Sequence, residues 1–162
     1  MIFTTKAEYG VRLLIQLGMH ASPQAPIPVS LKAIAEAEQL PLAYLERIAA
    51  LLKKAGLVTS TRGAHGGYLL ATPAEEITMD LVVLALEGAI APMECFVEHP
   101  EGEEHRVCCS HQTDGQTCAT KLLWTRVQMG VIRSLQRTTL AELVAFAHRP
   151  ESAEVPALTQ GT

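Results

Sequence analysis

The stretch from Leu31 to Ala71 reads "LKAIAEAEQLPLAYLERIAALLKKAGLVTSTRGAHGGYLLA" and decides the fold. Its first half predicts two helices, one capped by Ser30 and one beginning near Pro41, because proline is accepted in the first turn of a helix but not inside it. Gly56 follows the second helix as its natural C-cap. Two helices joined by a tight turn are a helix-turn-helix candidate, although that shape alone is weak evidence.

The second half of the stretch strengthens this interpretation. A β-rich run, a glycine-rich turn and a second β-like run predict a hairpin, and Gly63, Gly66 and Gly67 are expected to supply the positive φ angles that its tip needs. A hairpin directly after a helix-turn-helix is a wing. The exposed tip, which carries Arg62 and His65, favours a wing over a hairpin that only covers an edge of the core.

The flanking segments are predicted to be helical. Residues 4–20 and 77–87 each show a helix pattern, residues 119–137 form a long helix with a wide apolar stripe, and a short helix is capped at Thr139. Too little chain remains to cover the stripe, which favours a partner helix from a second copy over burial within one chain. The expected fold class is therefore mainly α with a small β-hairpin: a winged helix-turn-helix domain plus a long dimerisation helix.

These elements divide the 162 residues into four expected sections. They are a DNA-binding domain at 1–90, a cysteine-rich loop at 91–118, a dimerisation helix with a short C-terminal helix at 119–148, and a disordered tail at 149–162. The N-terminus lacks the features of a signal peptide and no apolar run is long enough to span a membrane, so the sequence predicts a cytoplasmic protein.

Charge is unevenly distributed along the chain. The net charge is −4, yet residues 1–72 contain seven Lys and Arg against four Glu, a net charge of +3 that leaves −7 for the remainder. A basic half beside an acidic half is consistent with an anionic partner for the first half, and equally with ordinary surface charge.

The second predicted helix and the wing carry the candidate DNA contacts. Helix-turn-helix proteins lay their second helix in the major groove, where Arg47 suits guanine N7 and O6 and Glu46 suits cytosine N4. Arg62 suits a narrow minor groove. The same side chains fit an ordinary exposed helix face equally well. The predicted DNA-binding residues are Ala43, Tyr44, Glu46, Arg47, Arg62 and His65.

All four cysteines of the chain lie in one polar loop. This loop contains Cys95, Cys108, Cys109 and Cys118, together with His99, His105 and His111. Cytoplasmic thiols are kept reduced, so clustered cysteines indicate metal or redox chemistry more than structural disulfides. Thiolates bind zinc or iron–sulfur clusters, but the absence of a CxxC knuckle argues against a structural zinc ribbon. A thiol–disulfide switch is the competing interpretation.

Over roughly residues 1–147 the chain resembles the IscR/NsrR/CymR-type family of winged helix-turn-helix transcriptional regulators, many of them iron–sulfur proteins. The resemblance is carried by "TTKAEYGVRLL", the stretch quoted above, the cysteine loop and "CATKLLW…TTLAEL". It implies a dimeric, cytoplasmic repressor or activator rather than an enzyme, bound to a palindromic site in double-stranded promoter DNA. It also implies that the long helix after the last cysteine crosses its partner.

The resemblance further implies an iron–sulfur cluster, either 2Fe–2S or 4Fe–4S. Three cysteines ligate it in the family, and Cys95, Cys109 and Cys118 match them here, with Cys108 as the alternative to Cys109. CymR is a cluster-free relative. A cluster-free regulator that uses a thiol–disulfide switch or zinc, or that is controlled by a metabolic partner protein, is therefore the alternative function.

The fourth ligand departs from one branch of the family. IscR-like members use a histidine three residues after the last cysteine, and that position holds Lys121 here. NsrR-like members use an acidic residue of the first helix, donated by the other subunit, and Glu8 matches it. Glu8 also has a plain explanation as an acidic residue favoured at a helix N-terminus. The adjacent cysteine and the three histidines of the loop are further options.

Overall fold

The computed structural model describes residues 3–21, 27–63, 66–91 and 119–149. Six helices and one two-stranded antiparallel hairpin lie in these ranges. In chain order they are α1 (Thr5–Met19), α2 (Leu31–Glu38), α3 (Leu42–Lys54), β1 (Val58–Thr61), β2 (Gly67–Leu70), α4 (Met79–Glu87), α5 (Ala119–Arg137) and α6 (Leu140–Ala147). The predicted class, mainly α with one small hairpin, is confirmed.

Local capping explains where several helices begin. Thr4, Ser30 and Thr139 precede α1, α2 and α6, and each side chain accepts a hydrogen bond from a backbone amide two or three residues further on. Such a bond satisfies one of the amides that a helix N-terminus leaves unpaired. The turn between α2 and α3 depends on Gln39, whose φ of 54° ends α2 in the left-handed conformation. Pro41 is then the N-cap of α3, which begins at Leu42, near Pro41 as predicted.

One apolar core joins α1, α2, α3, α4 and α6. Its largest fully buried side chains are Leu13, Leu14, Ile34, Leu45, Ile48, Leu52, Ile77, Val82 and Leu140. Leu140 reaches this core because the chain before α6 pairs with the chain before α4, where Thr78 and Thr139 form a β-bridge. The Leu140 amide also donates to the Ile77 carbonyl at 2.8 Å. The last helix is therefore part of the same core and packs on α1.

Val29 forms an antiparallel β-bridge with β2, on the side of β2 that does not pair with β1. Val29 exchanges two backbone hydrogen bonds with Tyr68, of 3.0 and 2.8 Å. Val29 directly precedes Ser30, the N-cap of α2. The wing is thus fastened to the start of the helix-turn-helix through backbone bonds.

The glycines of the wing have two different roles. Gly63 has a φ of +117°, as predicted for a hairpin tip. The same prediction is wrong for Gly66 and Gly67, which do not have positive φ angles. Instead they lack room for a side chain: a Cβ on Gly67 would lie 2.6 Å from the Val29 carbonyl oxygen. A Cβ on Gly66 would meet the backbone on the opposite side of the turn.

The long helix α5 packs on α4 but buries none of its residues against the described part of the chain. Leu122 and Leu123 are 58% and 56% exposed, and Val127 and Met129 are exposed as well. Gln128 fixes the helix by donating from Nε2 to the Ile90 carbonyl at 2.6 Å. The apolar stripe that the sequence predicts on this helix is present. Its first half, Leu122, Leu123 and Val127, is not covered by the described part of the chain, whereas Ile132 and Leu135 are half-buried.

Several predictions fall outside the described residues. They concern the cysteine loop with its four cysteines and three histidines, the wing-tip residue His65, and the tail after Arg149. None of the helices in the described ranges combines the length and apolar character that crossing a bilayer requires.

Candidate DNA-binding interface and cofactor ligands

Helix α3 has one packed face and one exposed face. Leu45, Ile48, Ala49 and Leu52 are buried in the core. Ala43, Glu46 and Arg47 are exposed, and their spacing of three and four residues places them on one side of the helix. The helix therefore presents three of the predicted base-reading residues to solvent together.

Tyr44 differs from these neighbours. It is half-buried, and its ring meets the ring of Tyr9 edge-on, with centroids 5.7 Å apart and planes at 85°. Edge-to-face pairs of this kind add stabilisation beyond the burial of apolar area. The ring of Tyr44 thus anchors the beginning of α3 to α1.

An open groove of about 550 Å³ runs between the start of α2, the exposed face of α3 and the wing. It is lined by Ser30, Leu31, Lys32, Leu42, Glu46, Ser60, Thr61, Gly67 and Tyr68. At one side of the hairpin, Lys53 Nζ donates to Ser60 Oγ at 2.5 Å, which ties the end of α3 to β1. Arg62 directly follows β1 and is exposed. The Lys53–Ser60 hydrogen bond thus connects α3, the predicted major-groove helix, to the strand that leads to Arg62, the predicted minor-groove arginine.

A polar network joins the helix-turn-helix to α1. Arg12 Nε donates to Glu38 Oε2 at 2.7 Å, and Arg12 Nη2 donates to the Glu38 carbonyl at 3.3 Å. Gln16 Nε2 donates to the other carboxylate oxygen at 2.5 Å. Glu38 ends α2, and its side chain is only 16% exposed. The sequence gives one signal of this network: Arg12 and Gln16 lie four apart in the otherwise apolar second half of α1.

Glu8, the predicted acidic ligand, lies in the first turn of α1. It is exposed, its backbone amide donates to the Thr4 carbonyl at 3.3 Å, and its side chain has no hydrogen-bond or ion-pair partner among the described residues. Within the described ranges no three His, Cys, Asp or Glu side chains meet as a metal-binding group. The carboxylate of Glu8 is therefore available to an incoming group, while the predicted cysteine ligands lie outside those ranges.

A helix-turn-helix with one exposed recognition face, followed at once by a hairpin fixed to it, defines the winged helix-turn-helix class of DNA-binding proteins. Comparison with known proteins agrees. The model of the Rrf2 family, described as iron-dependent transcriptional regulators, matches residues 3–146, and the chain belongs to this family. It is a DNA-binding transcriptional regulator.

Individual relatives support the same assignment. Protein rrf2 of Nitratidesulfovibrio vulgaris is 42% identical over 147 residues, which cover 91% of this chain and 89% of that protein. The solved structure of CymR (YrzC), the global cysteine regulator of B. subtilis, is 34% identical with a TM-score of 0.66, covering 90% of this chain and 98% of that one. That of T. potens IscR is 32% identical with a TM-score of 0.69, covering 96% and 94%. The predicted family and fold are confirmed, and CymR and IscR proteins among the relatives are named HTH-type transcriptional regulators, not enzymes.

Proposed function

We propose that this chain acts as a homodimer in the cytoplasm and binds a palindromic promoter site in double-stranded DNA. The exposed face of α3 enters the major groove and the wing enters the adjacent minor groove. The DNA-binding residues proposed are Ala43, Tyr44, Glu46, Arg47, Arg62 and His65. The observation that carries this proposal is the exposed face of α3, which the Lys53–Ser60 hydrogen bond and the Val29–Tyr68 pairing hold in register with the wing.

The uncovered stripe of α5 supports the dimer. An apolar side chain gains about 1.5–3 kcal/mol when it is fully buried, so a helix with several exposed large apolar residues is stabilised by a second copy. A two-fold arrangement also presents two α3 helices to two half-sites, which a palindromic site requires.

We further propose that the regulator holds an iron–sulfur cluster through Cys95, Cys109 and Cys118, with Cys108 as the alternative to Cys109, and through Glu8 across the dimer. The donor set fits, because thiolates are the usual cluster ligands and Glu8 is exposed without a partner among the described residues. The description of the family as iron-dependent also supports it. When bound, such a cluster supplies a group sensitive to oxidation and nitric oxide.

The chain's own residues explain how that sensitivity reaches DNA. Glu8 belongs to α1, and α1 holds the helix-turn-helix through Arg12 and Glu38 and through the Tyr9–Tyr44 contact. A change in what Glu8 binds therefore acts on the helix that positions α3. The regulator is allosteric only to the extent that the loaded and unloaded forms differ in DNA affinity.

A cluster-free regulator is the second candidate. The CymR structure, from a protein titled as a cysteine regulator, is as similar to this chain as the IscR structure, at 34% against 32% identity. Four cysteines in one loop also suit a thiol–disulfide switch or a zinc site, and a regulator of this kind can be controlled by a metabolic partner protein.

One experiment separates the two candidates. Wild-type protein, Cys95→Ala, Cys118→Ala and Glu8→Ala are purified without oxygen, and iron, sulfide and zinc contents are measured beside the visible spectrum. Glu36→Ala is the matched control for Glu8, since Glu36 is an exposed helical glutamate paired only with Lys32 at 3.9 Å. A coloured wild type that bleaches in the two cysteine variants and not in the control supports the cluster, and a weaker or shorter-lived colour in Glu8→Ala supports Glu8 as its acidic ligand. Iron-free protein, even after reconstitution, refutes it and leaves the DNA-binding proposal standing.

A further inference from the structure

Glu87, the last residue of α4, is bound to the first turn of α1. Its Oε1 accepts hydrogen bonds from the Thr4 hydroxyl at 2.5 Å and from the Ala7 amide at 3.2 Å. Its Oε2 lies 3.8 Å from Lys6 Nζ. The Glu87 side chain is 18% exposed, so all three interactions are partly shielded from water.

The position of the Glu87 carboxylate is electrostatically unfavourable for α4, to which it belongs, and favourable for α1. A negative charge at the C-terminus of α4 is opposed by that helix's dipole, whereas the same charge at the N-terminus of α1 is favoured. The Ala7 amide also donates to the Thr4 carbonyl at 3.1 Å, so Glu87 gives this first-turn amide a second, charged acceptor. Glu87 therefore acts mainly as an additional cap for α1, supplied from 80 residues away along the chain.

The two helices also touch closely beyond this contact. α1 crosses α4 at Gly10, where an added Cβ would collide with the Leu86 side chain. The Leu86 side chain fills the space that Gly10 leaves open at this crossing. The first turns of α1 consequently have a defined position on the last turn of α4.

The last turn of α4 is where the described chain leads into the cysteine segment. Gly88, with a φ of +82°, ends α4, and the Ile90 carbonyl is held by Gln128 of α5. Glu8 lies in the turn that Glu87 caps, adjacent to Ala7. The turn that carries Glu8 is thus bound to the end of α4 through one carboxylate.

We infer that Glu87 is a positioning residue: it fixes the first turn of α1, and with it the Glu8 that is proposed to reach a cluster across the dimer, on the last turn of α4 of the same chain. The inference rests on the proposed function only for the role of Glu8 as a ligand. The fixing of the turn itself needs no cluster.

Two measurements on the full-length protein test the inference. The first is amide hydrogen exchange of the N-terminal peptide in cluster-free protein, followed by mass spectrometry. The second is the lifetime of the visible absorbance of loaded protein after addition of an iron chelator. The variants are Glu87→Ala and Glu87→Gln, with Glu36→Ala as the control and thermal unfolding as the check on folding.

Glu87→Ala is expected to speed exchange in the first turn by about tenfold or more, because two hydrogen bonds to a charged acceptor are lost. It should also shorten the lifetime of the absorbance to nearly that of Glu8→Ala. Glu87→Gln keeps an acceptor oxygen but loses the charge and the Lys6 pair, and should speed exchange by about threefold. If Glu87→Ala fails to fold, the Gln variant decides on its own.

A double variant separates positioning from general stabilisation. If Glu87 acts through Glu8, Glu87→Ala should shorten the lifetime no further in a Glu8→Ala background. An additive effect there, or unchanged first-turn exchange in folded Glu87 variants, or faster exchange without a shorter lifetime, overturns the inference. A wild type that holds no iron refutes the proposed cluster instead, and the exchange measurement then decides alone whether Glu87 fixes the turn.

Discussion

Arg47 is the residue on which base recognition is expected to depend most. It is exposed on α3 beside Ala43 and Glu46, and its fork of donors suits guanine. We expect Arg47→Ala to weaken binding to the promoter site by about 1–3 kcal/mol and to reduce discrimination against other sequences. Anisotropy titrations with the promoter duplex and a scrambled duplex at several salt concentrations measure both effects.

Lys54, exposed at the end of the same helix, provides the matched control. Lys54→Ala should weaken binding to both duplexes alike and lower the slope of log affinity against log salt by about one. If Arg47→Ala instead lowers affinity equally for both duplexes, Arg47 contacts phosphate and the assignment of base readout is wrong.

Gly67 allows the Val29 backbone to pack against the wing, because it has no side chain at the point of contact. In Gly67→Ala the new methyl group would overlap the Val29 backbone, so the edge pairing with Tyr68 must open. We expect a loss of about 1–3 kcal/mol in unfolding free energy and a larger proportional loss of DNA affinity, because the wing carries Arg62. Urea denaturation and DNA titration measure the two, with Thr59→Ala, an exposed change on the same hairpin, as the control. Equal behaviour of both variants would contradict the steric argument.

At the scale of elements, the Glu38 carboxylate at the end of α2 accepts hydrogen bonds from two side chains of α1. Glu38→Ala removes the acceptor of Arg12 and Gln16 and should lower the unfolding free energy by about 1–3 kcal/mol, as expected for partly buried bonds to a charged group. Glu36→Ala, on the same helix, breaks only the exposed pair with Lys32 and should cost less than about 1 kcal/mol. Denaturant titrations of both variants test the difference. Similar losses would mean that the network contributes no more than a surface ion pair.

The elements also show how far the sequence could predict this fold. The Ser30 cap, the start of α3 at Pro41 and the burial of Leu31, Ile34 and Ala35 follow from neighbours in sequence, and all are confirmed. These signals are local because helix periodicity and capping involve residues within about four positions of each other.

The contacts that join elements could not be predicted in the same way. Glu38 meets α1 from 26 residues away and Glu87 meets it from 80, so nothing in the local pattern marks either carboxylate as bonded. The glycines of the wing show the same limit. Composition indicated a turn, but only the structure shows that the Val29 backbone occupies the space that a side chain on Gly67 would need. Among the candidate site residues, the half-buried position of Tyr44 depends on Tyr9 in another helix.

At the scale of the whole molecule, the stripe of α5 is the proposed interface between two copies. Leu123→Glu places a charge on that stripe and should convert the dimer to a monomer without unfolding the chain, because Leu123 is 56% exposed within one copy. Loss of the second half-site contact should then reduce affinity for the palindrome. Analytical ultracentrifugation and DNA titration measure these effects, with circular dichroism as the check on folding.

Gln136→Ala, an exposed polar change on the same helix, is the control and should leave the dimer intact. A Leu123→Glu variant that sediments as a dimer and binds the palindrome normally would place the interface elsewhere.

The exposed stripe of α5 has a consequence for how such a regulator responds to its own abundance. In the proposed dimer the apolar face of α5 is covered by a second copy and gains its stability by mass action, so the melting temperature is expected to rise with protein concentration. In a cell that makes few copies, dilution would loosen α5 and, through Gln128, the Ile90 end of the cysteine segment. The response of the regulator would then depend on its own concentration as well as on the chemical signal.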